Sequence, residues 1–190
     1  MQVNRTFPEI ICSRLRLRRI SDMDKALIFS AMSDERMVQY YGCRYETLTQ
    51  TQSLMDWFEL IFTSGIGLWW GICLKDAPEH LIGACGIHDW DQQQHTAELG
   101  FWLLPTHWQQ GFMQECMQNL FPFFFTTLKL HRLQARVEAG NFASHKLLLH
   151  SGFQLEGVMR DAEFKKSRYV DVYLYARLAT DSGDLLNNTQ

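Results

Sequence analysis

Three strand-like runs follow one another between Gly67 and Leu104 with no helical stretch among them: "GLWWGICLK", "HLIGACGIHDW" and "HTAELGFWLL". The segments between them, "DAPEH" and "DQQQ", have the composition of hairpin turns, so the runs read as an antiparallel meander. The third run stops at Pro105, and a long stretch of helical composition begins just past Gly111. A meander that hands over directly to a helix restricts the chain to a mixed α/β fold and puts a lone glycine at the junction.

The remaining elements follow from periodicity. "SRLRLRRI" alternates Leu15 and Leu17 with Arg14, Arg16 and Arg18, as a half-buried strand with its arginines on a solvated face does. Ser21 can cap a helix over "SDMDKALIFSAM", with Asp22 and Asp24 complementing the positive helix end. "SDERMVQYYG" reads as a short helix closed by Gly42, and "TQTQSLMDWFELIFTSG" as a longer one with Leu54, Trp57, Phe58 and Ile61 on one face. In "FMQECMQNLFPFFFTTLKL" Pro122 removes a backbone donor and should kink or end the helix. "HRLQARVEA" alternates as a strand, "NFASHKLLLHSG" is a helix opened by Asn141 and closed by Gly152, and "FQLEGVMRDAEF" and "YVDVYLYARL" are two final strands. The sum is a sheet of about seven strands in one domain spanning residues 1–190, with a core over 12–179 and a polar, frayed tail over 180–190.

Composition narrows the class of function. With 190 residues the chain suits one core, and a formal net charge of -3 asks for neither a nucleic-acid nor an anionic-membrane partner. The five cysteines, Cys12, Cys43, Cys73, Cys85 and Cys116, form no CxxC pair, which fits free thiols in a reducing, cytoplasmic setting. The seven histidines form no HxxH or HxxxH pair, so no metal is expected. No apolar run reaches the roughly 18 residues of a membrane span, and none has the pattern of a signal peptide.

At the junction "PTHWQQGFMQEC" a helix start presents unpaired N–H groups, and a residue without Cβ lets a bulky anion approach them. A single glycine in a strand-to-helix turn is more often simple turn chemistry. Four ordered segments supply more context: "TAELGFWL", "HWQQGFM", "NFASHKLLLHSGFQLEG" and "RDAEFKKSRYVDVYLYARL". Together they resemble the GNAT superfamily of N-acetyltransferases, and within it the RimJ/RimL branch that acetylates protein N-termini. The resemblance covers roughly residues 12–179. It implies the GNAT fold, a mixed and mostly antiparallel twisted sheet flanked by helices and splayed where acetyl-CoA binds, with monomers and homodimers both known.

By that resemblance "TAELGFWL" is the central strand, whose backbone N–H groups around Phe101, Trp102 and Leu103 polarise the acetyl carbonyl. Trp108, Gln109, Gln110, Gly111, Phe112 and Met113 stand in the pyrophosphate loop that cradles coenzyme A. Met113 replaces the small residue that ends the family's loop pattern. Asn141 would hydrogen-bond the pantetheine chain, or simply cap its helix. Ser144 occupies the position whose hydroxyl meets the departing sulfur, against the alternative of a first-turn serine bonding its own backbone.

The chemistry itself requires a base, because an α-amino group with a pKa near 8 is only partly neutral at physiological pH. Glu163 in "RDAEF" matches the glutamate of the RimL-like pattern and is the preferred base; Glu98 in "TAELGF" is its rival, and a water chain is the third possibility. The activity implied is transfer of acetyl from acetyl-CoA, by direct attack through a tetrahedral intermediate, to a primary amine, above all a protein N-terminus such as that of a ribosomal protein. The alternatives are an amino sugar, polyamine or antibiotic as acceptor, or a catalytically silent module that keeps the coenzyme. Tyr40, Tyr41, Trp57 and Phe58 either line a peptide groove or stack within the core.

Overall fold

A computed structural model describes residues 6–40 and 44–182. Eight strands form one sheet, in the order β1-β2-β3-β4-β5-β6-β8-β7. They are β1 (Ile10–Ile11), β2 (Leu15–Arg19), β3 (Leu68–Leu74), β4 (Ala77–Asp91), β5 (Thr96–Leu103), β6 (Arg132–Glu138), β7 (Gln154–Lys165) and β8 (Arg168–Leu178). The helices are α1 (Lys25–Ser33), α2 (Glu35–Val38), α3 (Thr51–Thr63), α4 (Phe112–Pro122) and α5 (Phe142–His150). The meander is present, with β3, β4 and β5 paired antiparallel. The eighth strand is the two-residue β1, too short to leave a period in the sequence.

Among the described residues every strand pair is antiparallel except β5 with β6. Parallel neighbours need a crossover of a dozen residues or more, and α4 supplies it. Both β5 and β6 are then followed by helices, so the N-termini of α4 and α5 lie beyond the carboxyl ends of the parallel pair. The pair is short: it joins Thr96, Ala97 and Glu98 to Arg132, Leu133 and Gln134 and goes no further. Past Glu98 the two strands diverge, while β5 stays on β4 as far as Leu103 and β6 stays on β8 as far as Glu138.

Each face of the sheet buries its own core. Leu15, Leu17, Trp70, Leu133, Ala135 and Val137 pack against α4 and α5, whose Met117, Leu120 and Leu148 are fully enclosed. On the opposite face Trp69, Leu81 and Trp102 meet Ile28 and Met32 of α1 and Met55, Phe58 and Ile61 of α3. Cys12, Cys73, Cys85 and Cys116 are free and buried. Burial pushes the Cys85 thiol up to about 12, so it stays protonated and packs as an apolar group.

Several local expectations need correction. The arginines of β2 are not a merely solvated face: Arg18 is 12% exposed and grips Asp24, itself 2% exposed, through both carboxylate oxygens at 2.7 and 2.8 Å. Its Nε donates to Pro78 O, and Asp24 also accepts from the Ser21 backbone N–H, so one buried pair fastens β2 to the start of α1. "DAPEH" is mostly strand, because the reversal falls at Lys75 and Asp76 and Ala77 already pairs with Leu74. Pro122 ends the regular α4 ladder, but the chain continues as a π-helical turn, Phe123–Thr127, that accommodates the missing donor. Tyr41, Gly42, Cys43 and residues 183–190 lie outside the described residues, and with them the Gly42 helix stop and most of the expected tail.

Breaking a buried pair leaves an uncompensated charge. Asp24→Ala is therefore expected to destabilise the fold by about 3 kcal/mol, read as a lower urea midpoint. Asp24→Asn, which keeps an acceptor for Arg18, should cost less.

Candidate active site

The turn after β5 is tied down at both ends. Trp108 donates its indole N–H to Leu103 O at 2.7 Å, and the Gln110 side chain donates to Thr106 O at 2.9 Å. Gln109, between them, takes φ 59°, and Gly111, directly after Gln110, takes φ 76°. Only glycine enters that region without strain, which is what Gly111 supplies as N-cap of α4. Among the described residues no side chain caps this helix, which leaves its first-turn amides to a ligand. Phe112 and Met113 are 7% and 6% exposed and point into the α4 core, so the length of Met113 lies beneath the turn and not over its amides.

Arg14, the residue just before β2, completes this turn. Its Nε meets Glu115 Oε2 at 2.7 Å, its backbone N–H meets Oε1 of the same carboxylate at 2.7 Å, and its Nη1 donates to Gln110 O at 3.0 Å. The guanidinium lies 4.5 Å over the Phe112 ring. A Cβ added at Gly111 would meet only Arg14 Nη2, at 3.5 Å. A positive helix end, bare amides and a clamped cation thus converge on one spot, which suits a diphosphate. Burial alone would raise the Glu115 pKa, but the bonds from Arg14 outweigh it and hold the carboxyl below its ordinary value.

The divergence of β5 from β6 opens a slot beside this turn. Leu104 N–H bonds Ile82 O, so by the alternation of an antiparallel ladder Trp102 also directs its amide to β4. Phe101 and Leu103 direct theirs to the side that β6 has left. The central-strand triplet therefore divides: two amides face the slot, and Trp102 contributes its side chain to the α1–α3 face. At the root of the slot stands Glu98, half-buried, accepting from Gln134 Nε2 at 3.3 Å and paired across the sheet with His88.

Across the slot, Asn141 caps α5 by accepting from Ser144 N–H at 3.2 Å. The Ser144 hydroxyl is half-buried and makes no hydrogen bond among the described residues. His145 fixes the start of this helix: its Nε2 lies 3.1 and 3.2 Å from the carbonyls of Glu138 and Ala139, and its Nδ1 lies 3.0 Å from Tyr175 Oη. Carbonyls only accept, so Nε2 carries the proton and Nδ1 takes the Tyr175 hydroxyl.

Glu163 is placed differently from Glu98. Its carboxylate lies 2.8 Å from Lys165 Nζ and 3.8 Å from Arg136. Lys165 also reaches Glu138 at 3.1 Å and Tyr40 O at 3.4 Å. Burial would lower the Lys165 pKa, but its bonds to Glu163 and Glu138 outweigh that and raise it, keeping the ammonium charged. Taking up a proton at Glu163 would break this pair, whereas Glu98 faces a neutral amide. Among the described residues no group of three or more His, Cys, Asp or Glu side chains is placed to hold a metal, and no helix is long and apolar enough to cross a membrane.

Arg14, Gln134 and Lys165 are the site residues that reading the sequence missed. Arg14 stands far upstream of the turn it serves, and only the β2 alternation hinted at its face. Gln134 acquires meaning through Glu98 on the neighbouring strand, and Lys165 through Glu138 and the Tyr40 carbonyl, which spacing does not reveal, besides Glu163 two residues away on its own strand.

Residues 14–154 match the family described as acetyltransferase (GNAT) domain. The chain is 36% identical over 171 residues to the uncharacterized N-acetyltransferase YoaA of Bacillus subtilis, covering 90% of this chain and 96% of that protein. It is 34% identical over 100 residues to the ribosomal-protein-serine acetyltransferase of Escherichia coli, covering 53% of this chain and 56% of that protein. The fold superposes on a RimL ribosomal L7/L12 α-N-protein acetyltransferase in complex with coenzyme A with a TM-score of 0.82 at 20% identity, over 90% of this chain and 98% of that one.

Two outcomes are expected at the α4 turn. Gly111→Ala should destabilise the fold by only about 1 kcal/mol, since the added Cβ meets strain and not a clash, yet weaken coenzyme A binding about tenfold by calorimetry because the methyl crowds the anion. Glu115→Gln should lower stability at neutral pH. A carboxyl whose pKa is depressed on folding stabilises above its unfolded value and ceases to as pH falls through the folded value. The gap from the parent should therefore close in acid, read by denaturation across a pH series.

Proposed function

The chain belongs to the GNAT family of N-acetyltransferases, enzymes dependent on acetyl-CoA, and on that premise we propose that it acetylates the α-amino group of a protein or peptide N-terminus. The likeness to the ribosomal-protein-serine acetyltransferase supports that acceptor. The observation that carries the mechanism is the divergence of β5 from β6 directly after Glu98.

The donor supplies an acetyl group activated as a thioester. Its diphosphate is held by the α4 first-turn amides at Gly111, Phe112 and Met113, with Arg14 balancing charge. Trp108 keeps that loop seated on β5. The pantetheine arm enters the slot, where Asn141 lies at its far wall. The amides of Phe101 and Leu103 are preorganised toward the carbonyl oxygen, where charge accumulates as the amine attacks. Glu98 takes the amine proton, directly or through one water, and the Ser144 hydroxyl donates to the departing sulfur. Glu163 we assign to holding Lys165, and through it the Tyr40 segment, against the slot's edge.

Thiol release from acetyl-CoA, followed over a panel of peptide N-termini and small amines, tests the assignment. Glu98→Gln should lower kcat/KM by about 100-fold or more and flatten its rise with pH, while Glu163→Gln should lower it less and keep that rise. A Glu98→Gln enzyme with the parent's rate and pH profile would remove Glu98 from the mechanism. Coenzyme binding without thiol release for any amine would contradict the activity itself.

A further inference from the structure

An apolar pocket of about 280 Å³ opens between α1, α3 and the sheet face that carries Glu98. Trp57, Phe58, Trp69 and Trp102 form its walls with Met32 and Leu54. Its remaining lining, Tyr45 and Ser53, is polar but uncharged. Two contacts place it beside the chemistry. The Trp69 ring lies over Gly100, where a Cβ would come within 2.3 Å of its Cη2, so this ring spans the strand between Glu98 and Trp102. His88, the cross-strand partner of Glu98, lies stacked on the same ring at 6.0 Å and edge-on to Trp57 at 5.8 Å.

Resting on the acetyl-transfer reading above, we infer that this pocket selects the acceptor by taking an uncharged, bulky apolar side chain, of leucine to phenylalanine size, on the acceptor's N-terminal residue. The volume falls just short of whole-ligand pockets, which run from roughly 300 Å³ upward, so it suits one side group. The walls are preformed: the Tyr45 backbone is bonded to Met32 O and to the Ser33 hydroxyl, and Trp57, Phe58 and Trp69 brace one another at 5.2 to 5.8 Å. An ammonium group is a poor occupant. Among the described residues no carboxylate lines the pocket, so a buried ammonium would lose its hydration without an ion-pair partner. A polyamine does not offer the apolar bulk that these walls would enclose.

Peptides that differ only in an N-terminal Ala, Leu or Phe, together with spermidine, test this by kcat/KM at saturating acetyl-CoA. The Leu and Phe peptides should exceed the Ala peptide by about tenfold or more, mainly through KM, and spermidine should trail. Leu54→Trp, or Ser53→Phe should that variant misfold, fills the pocket and should erase the difference while coenzyme A binding by calorimetry is retained. A flat peptide series, a preference that survives both variants, or spermidine as the better acceptor would overturn the pocket assignment and leave the N-terminal reading standing. If peptides fail but phenethylamine is preferred to ethylamine, the N-terminal reading falls and the pocket stands. Should nothing turn over, titrating the Phe and Ala peptides onto coenzyme A-loaded protein reads the same preference, and equal affinities would overturn it.

Discussion

The short parallel pairing of β5 with β6 is the constraint on which the rest depends. It is long enough to hold the two halves of the sheet together and short enough to release both strands after Glu98. Antiparallel neighbours on the outer sides keep each strand rigid while the inner edges separate. The result is a slot bordered by the backbone of two strands that are each held from the outer side. The parallel pair requires the α4 crossover, and a helix follows each of its strands, so the N-termini of α4 and α5 both lie beyond the strand ends.

Electrostatics then refine what topology provides. Arg14, just ahead of β2, is held by Glu115, so the cation near the α4 turn is fixed before any ligand is present. The two glutamates near the slot are separated by their neighbours: Glu98 against an amide, Glu163 against Lys165 and Arg136. The aromatic wall over Gly100 closes the other face and leaves an uncharged space beside Glu98.

Much of this was legible in the residues alone. Period-two alternation located β2 and β6, and turn composition located the meander. Gly111 and Gly152 marked a helix start and a helix end, each at positive φ. Asn141 was readable as a cap because a side-chain oxygen three residues before an amide acts locally. What stayed hidden was long-range. Nothing in "SRLRLRRI" says that Arg14 reaches Gln110 or that Arg18 is buried on Asp24. The point where β5 leaves β6 depends on two segments separated by a helix, so neither sequence encodes it by itself. Preference for Glu163 over Glu98 rested on family resemblance, and only cross-strand contacts show how differently the two are surrounded.

The central claim is that coenzyme A seats its diphosphate on the α4 turn and its arm between the diverging strands. Amide hydrogen exchange, read residue by residue with and without saturating coenzyme A, tests this most directly. The account predicts slowed exchange at Gly111, Phe112 and Met113 and at Phe101 and Leu103, with little change along β2 or β7. Unchanged exchange at those five amides, with protection appearing elsewhere, would contradict it.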